Sequence, residues 1–170
     1  MRRRRNQRGS AILEFTLAGI PSLFLILSVV QLSIAMWNYV TLAHAVRAAA
    51  RYAAVHGNGC SSGGNSCATT VGLITGRLAA DGIGVPSDTA SATLTTASGQ
   101  TQTCSPISSC FTNSTVWPPA SNNDNMPGQI FTISAQYSFP SAIGMLWPGA
   151  QHLMFGTIQV GASTTQIIQF

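Results

Sequence analysis

Hydrophobic and polar positions along this chain fall into two regimes. From Phe15 to Val46 there is no Asp, Glu, Lys or Arg, and Leu23–Trp37 is apolar apart from Ser28, Gln31 and Ser33. A helix needs roughly 20 apolar residues to cross a hydrocarbon core, and this run supplies them with some to spare. One membrane pass is predicted. Beyond it the helix is expected to continue to Val55, because alanine is the best helix former and Gly57-Asn58-Gly59 supplies a stop. At 1.5 Å per residue, Ala11 to Val55 would measure about 65–70 Å, twice a hydrocarbon core, so the outer half must pack on something. Tyr52 and the alanines around it offer a close-packing face. His44, Arg47 and Arg51, at spacings of three and four, predict a solvated stripe.

The second regime mixes short apolar runs with Ser, Thr, Asn and Gly. Ala68–Ala80 places apolar residues near helical spacing and ends at Asp81-Gly82, which predicts a short helix. After Pro86 the pattern turns to strands: Ala92–Thr96, Gln100–Cys104, Ile130–Phe139 and Phe155–Phe170 alternate or cluster as strands do, with Ser98-Gly99 as the first hairpin turn. Ser105–Gly128, rich in Pro, Asn and Ser, reads as loop. The aromatics of Trp117-Pro118-Pro119 and Trp147-Pro148 fit a modest core better than exposed contacts. No internal repeat is visible. The fold class expected is α+β, a long amino-terminal helix followed by a small head with a β-sheet.

Charge changes the picture in two ways. Five of the eight arginines lie among the first eight residues, and cytoplasmic flanks of membrane helices carry the excess of Lys and Arg. The amino end is therefore expected in the cytoplasm and everything after about Asn38 outside. The chain's net charge of +4 invites a nucleic-acid reading. Without residues 1–9, however, Arg47, Arg51 and Arg77 face Glu14, Asp81, Asp88 and Asp124, so the basicity belongs to the leader and no nucleic-acid partner is expected. Charged residues make up only 7 % of the chain, so the head's surface must be built from Ser, Thr, Asn, Gln and Gly, which suits an exported protein embedded among partners.

The amino end admits plain alternatives. A cleaved secretory signal has Ala43-His44-Ala45 as a possible site, but the uncharged run before it is about twice the usual apolar length of roughly 7–15 residues. An uncleaved signal anchor fits length and orientation but leaves Glu14 unexplained, and a carboxylate at the mouth of an apolar run asks for a reason.

Gly9 followed by Ser10-Ala11-Ile12-Leu13-Glu14-Phe15 resembles the processing site of type IV pilin-like proteins. In these a membrane prepilin peptidase cuts after the glycine and leaves glutamate as the fifth mature residue. The sequence is most similar to the TadE-like minor pseudopilins of the tight adherence (Flp) pilus system. The Ala-Arg-rich stretch Ala43–Val55 is similar to the helix end of that family. The new chain would begin with Ser10, where type IVa pilins usually have phenylalanine, and Phe15 stands where the short major Flp pilin often has tyrosine. A physical role for Glu14 stands beside the resemblance: its carboxylate can neutralise the amino group freed at Ser10, on itself or on a neighbour, and set axial register between subunits. The alternative is a carboxylate solvated among lipid headgroups. Pro21 removes a helical hydrogen bond and predicts a kink, which membrane helices tolerate; the resemblance implies a part in extraction from the bilayer.

Cys60, Cys67, Cys104 and Cys110 all fall outside the membrane, where an even count reads as two disulfides with three possible connectivities. Cys60 with Cys67 and Cys104 with Cys110 is the pairing favoured, since each brackets a short polar loop; neither spacing suits zinc. Asn122-Asn123-Asp124-Asn125 has one carboxylate and no calcium-loop pattern. Three histidines and four acids form no recognisable nucleophile, acid/base or metal arrangement, so no enzyme, cofactor or metal is expected.

The organisation expected is an Arg-rich cytoplasmic leader at 1–9, a transmembrane and extended helix at 10–56, and an exported, disulfide-bearing α+β domain at 57–170. The resemblance implies a minor pseudopilin of the bacterial inner membrane. Its expected partners are the prepilin peptidase, other pilins and pseudopilins, the pilus assembly platform and the lipid bilayer. The competing reading is a permanently anchored, single-pass envelope protein whose head binds a ligand or partner. A soluble domain released near Ala45 is a third.

Overall fold

The computed structural model describes residues 8–57, 61–62, 65–66, 68–140 and 157–169. Helix α1, Arg8–Ala54, is a single run of 47 residues, about 70 Å at 1.5 Å per residue, with Pro21 inside it. It carries the chain through the predicted apolar span and on into the head, ending one residue before the expected Val55. Strands β1, Ser61–Ser62, and β2, Asn65–Ser66, form a small antiparallel pair.

Helix α2 spans Val71–Asp81. Thr70 caps its start by accepting the Leu73 N–H at 3.3 Å, and Gly82 closes its end by donating to the Leu78 carbonyl at 3.1 Å. The expected helix began at Ala68; the chain there is instead held extended, with Thr70 bridged to Val116 and the Trp117 N–H donating to the Thr69 carbonyl at 2.9 Å. That pairing delays the helix by three residues.

Four strands make the sheet: β3, Ser91–Thr96; β4, Thr101–Cys104; β5, Ile130–Pro140; and β6, Thr157–Ile167. Their order is β4-β3-β5-β6, every neighbour antiparallel. Gly99, with φ of +84°, turns β3 into β4. Two short 3₁₀ turns, Ile107–Cys110 and Ser121–Asn123, lie in the long connection from β4 to β5.

One face of this sheet is apolar and the other is hydroxylic, as period-2 alternation requires. Ala92 and Leu94 of β3, Phe131, Ile133, Ala135 and Tyr137 of β5, and Val160 of β6 are buried against Leu42, Val46, Ala49, Ala50, Ala53 and Ala54 of α1 and Val71, Ile74 and Leu78 of α2. The outward register aligns Thr101, Thr95, Thr132 and Thr165 in one row and Thr103, Thr93, Ser134 and Ser163 in the next.

Candidate functional site

Two features stand out in the molecule: the apolar length of α1 and the grip of the head on the carboxy-terminal half of that helix.

Along the first part, large hydrophobic side chains point outward with nothing of the head around them. Ile12, Leu13, Phe15, Leu17, Leu25, Ile26 and Leu32 are each more than 65 % exposed. Such a surface is stable only in lipid or against other apolar helices. The hydroxyls in this stretch fit the same environment. Thr16 donates to the Ile12 and Leu13 carbonyls at 3.0 Å, Ser22 to Ala18 at 2.8 Å, Ser28 to Phe24 at 2.7 Å and Ser33 to Val29 at 2.9 Å. Each hydroxyl is satisfied by its own helix, so none demands water inside hydrocarbon. Among the described residues this is the one helix long and apolar enough to cross a membrane.

Gly9 and Ser10 lie in the first turn of α1, and Glu14 sits on its exposed surface. From Ser10 to Glu14 is one turn, about 6 Å of rise, which is the spacing a carboxylate needs to reach an amino terminus at residue 10. Pro21 lies 11 positions past Ser10 on the exposed side, and helical structure continues through it.

The grip begins further out. Ala45, Ala49, Ala50 and Ala53 are wholly buried, and their small side chains let the sheet and α2 approach the α1 backbone. Helix α2 runs back down α1: Arg77 stacks over the Tyr52 ring at 5.4 Å, Gly82 lies beside Ala45, and Gly84 beside Trp37 and Asn38. Tyr52 stacks in turn on His56, with ring centroids 4.2 Å apart, and the Tyr52 carbonyl meets His56 Nδ1 at 2.6 Å. The Gln169 N–H donates to the Ala54 carbonyl at 2.9 Å, tying the chain's last described residue to the top of the helix. His44, Arg47 and Arg51 are exposed, as their stripe predicted.

Two buried residues escaped the sequence reading. Gln31 and Asn38 are 7 % and 5 % exposed, on the same face of α1 as Leu42 and Ala45. Their spacing of seven from each other, and of four from Asn38 to Leu42, was the available signal; within an otherwise apolar run, a polar residue on the packed stripe marks where head and helix meet.

The head is braced by two local devices. Cys104 at the end of β4 is bonded to Cys110 in the 3₁₀ turn, Cα atoms 5.7 Å apart, as the favoured pairing has it; Cys60 and Cys67 lie outside the described residues, as does Trp147. Trp117 is buried, as expected. Asp124, considered above only as a weak calcium candidate, turns its carboxylate onto the β3–β4 turn. There it accepts from the Ser98 hydroxyl and from the Ser98 N–H at 3.2 Å, and Ser98 Oγ lies 3.1 Å from the Thr96 hydroxyl. Burial, the largest single influence, works to raise its pKa, but hydrogen bonds from the Ser98 and Thr96 hydroxyls and the Ser98 N–H outweigh it and hold the carboxyl below its ordinary value. Among the described residues no three His, Cys, Asp or Glu side chains are gathered as metal ligands.

The geometry defines a protein built on one long apolar helix, with an antiparallel α+β head packed on one face of its carboxy-terminal half. Residues 9–51 match the family model described as TadE-like protein, so the chain is similar to that family over this part of α1. The match starts at Gly9, takes in Glu14 and stops within α1, leaving the head to be described by its own geometry. No curated protein and no solved structure matches the chain.

Proposed function

We propose that this protein is a minor pseudopilin of a tight adherence pilus, cut by a prepilin peptidase after Gly9 and held in the bacterial inner membrane by α1 with its head exported. The observation that carries this is the placing of Gly9 and Glu14 five residues apart at the inner end of the exposed apolar helix, inside the segment that matches the TadE-like family. Arginines on the near side keep the amino end cytoplasmic, and the disulfide-bearing head lies beyond. The role is structural: the apolar surface of α1 leaves lipid by packing among pilin-like helices, and Glu14 neutralises the amino group of a Ser10 terminus during that transfer.

The test is the intact mass and amino-terminal sequence of the protein from membranes containing a prepilin peptidase, beside a Gly9→Leu variant. A mature chain beginning at Ser10, lost in the variant, is the expected result. A chain still beginning at Met1 would sink the pseudopilin reading and favour a permanently anchored envelope protein with a partner-binding head.

A further inference from the structure

Charges are few beyond the leader, and they are sorted by sign onto different elements. Past residue 9 the bases are Arg47, Arg51 and Arg77 and the acids Glu14, Asp81, Asp88 and Asp124. Glu14 lies near the inner end of α1, and Asp124 is buried on the Ser98 turn. The surface around the head is left with the three arginines against Asp81 and Asp88.

Arg47 and Arg51 belong to the stripe Val40, His44, Arg47, Arg51 and Val55, which recurs at spacings of three and four and is exposed at every position. Leu42, Ala45, Val46, Ala49, Ala50 and Ala53 form the buried stripe beneath the sheet and α2. At 3.6 residues per turn the two stripes are centred about 180° apart, so the arginines stand on the back of α1, away from the head.

The acids sit at the end of α2 and in the turn that follows. Asp81 is the last residue of α2 and half-buried; Asp88 is exposed in the turn closed by the Ala90 N–H donating to the Pro86 carbonyl at 3.1 Å. A carboxylate at a helix C-terminus faces the negative end of the helix dipole, and the last turn of α2 holds no base to offset it. Arg77, one turn earlier, could reach Asp81, but its guanidinium lies over the Tyr52 ring, 5.4 Å from the centroid. Among the described residues no ion pair joins Arg47, Arg51, Asp81 or Asp88 to another group. Asp81 is thus placed against its own helix, and a cation from outside the chain reverses that penalty.

The level of the two charge sets along α1 is given by contact. A Cβ on Gly82, the residue after Asp81, would lie 3.7 Å from the Ala45 Cβ, so the end of α2 stands near the level of Ala45. Arg47 and Arg51 are two and six residues further along, roughly 3 and 9 Å of helical rise. Two copies anchored through α1 in one bilayer stand parallel, and an axial offset of roughly 3–9 Å brings the acids of one to the arginines of the next.

We infer that a second copy of this chain docks on the back of α1, its Asp81 and Asp88 against Arg47 and Arg51. The two arginines and two aspartates cancel, and the contact uses different surfaces on the two copies, so it can repeat from copy to copy. Exposed ion pairs are individually weak; here they choose partner and register, while confinement in one bilayer supplies the concentration. The inference rests on α1 spanning the bilayer and is independent of processing at Gly9.

Förster transfer between donor- and acceptor-labelled full chains in phosphatidylcholine vesicles tests it. The chain has no lysine, so an amine-reactive dye labels the amino terminus alone. The variants are Arg47→Glu with Arg51→Glu, Asp81→Arg with Asp88→Arg, and all four together. Transfer in the native chain should fall about five-fold in either double variant, because like charges then meet. It should return in the fourfold variant, and also when the two double variants are mixed, since the acidic back of one then meets the basic α2 end of the other. Native chains without transfer, or double variants that keep native transfer, would overturn the inference while leaving the anchor standing. So would loss of transfer that neither the fourfold variant nor the mixture recovers. Chains that fail to float with the vesicles would remove the spanning helix and the parallel docking with it.

Discussion

Two glycines in α2, four residues apart, are expected to respond to the same substitution with opposite sign. A Cβ on Gly72 would lie 2.5 Å from the Phe111 carbonyl oxygen, 2.9 Å from that of Asn113 and 3.2 Å from that of Cys110. All three are backbone atoms of a segment stitched to α2, with the Gly72 N–H donating to the Asn113 carbonyl and the Val71 N–H to that of Thr115, both at 2.9 Å. A methyl group there forces helix and loop apart by close to 1 Å. Overpacking of this kind costs about 1–3 kcal/mol, and losing one of the two hydrogen bonds adds about 1 kcal/mol. Alanine's better helix propensity returns up to about 1 kcal/mol. The net for Gly72→Ala is a destabilisation of about 2 kcal/mol. A Cβ on Gly76 meets nothing within 4 Å, so Gly76→Ala keeps only the propensity gain and stabilises by about 0.5–1 kcal/mol.

The assay is urea unfolding of the full chain in detergent micelles, followed by tryptophan fluorescence, since Trp117 is buried in the core beside this junction and its backbone N–H donates to the Thr69 carbonyl. The two variants should move the midpoint in opposite directions. The Cys104–Cys110 bond holds the same loop, so a variant with both cysteines as alanine should soften the clash, and the Gly72→Ala penalty should shrink in that background. If Gly72→Ala is neutral or stabilising, the close approach of α2 to the 110–113 carbonyls is wrong, and with it the account of how the head is locked.

Replacing Cys104 and Cys110 together by alanine should destabilise the head by about 2 kcal/mol, from the chain entropy released by opening so short a loop, read as a lower urea midpoint. Asp124 has its folded-state pKa below the ordinary value, so it contributes stability above about pH 4 that is lost as pH falls further through the lowered value. Asp124→Asn should lower the midpoint at neutral pH and flatten that acid-side loss; an unchanged acid profile would show that the Ser98 turn does not depend on the carboxylate. Glu14→Val is expected to leave head stability and membrane insertion unchanged while reducing incorporation into filaments, measured by the ratio of sheared pilus material to membrane-retained protein. Equal incorporation would remove Glu14 from assembly.

What was legible in the sequence follows from which forces act locally. The apolar run without a charge from Phe15 to Val46, the alanines near its end and the alternation in β3 and β5 are each set by a single element's own periodicity, and the structure has α1, the short helix and the four-stranded sheet close to the boundaries those patterns give. The pairing of Cys104 with Cys110 was accessible because only six positions separate them. The start of α2 was not: Ala68 and Thr69 are good enough helical positions locally, but the Val116–Trp117 segment, more than 45 positions further on, captures Thr69 and Thr70 as an extended partner. Long-range pairing overrode propensity there, as it did for Asp124, whose neighbours in sequence gave no hint of Ser98.

Gln31 and Asn38 carry the argument furthest. Read alone, a polar residue in an apolar run weakens the case for a membrane span, and both would have been discounted as breaks in the pattern. Placed on the helix, they lie on the same buried face as Leu42 and Ala45, while the flanks are apolar and exposed. A buried amide needs hydrogen-bonding partners that hydrocarbon cannot offer, so a polar stripe on an otherwise apolar helix selects a protein partner for that face and lipid for the rest. The same helix can then serve two environments at once. On the pseudopilin reading proposed above, its exposed apolar length would exchange lipid for neighbouring helices while its buried Leu42–Ala54 face kept the head fixed, so the surface offered to the next subunit would stay the same through that transfer.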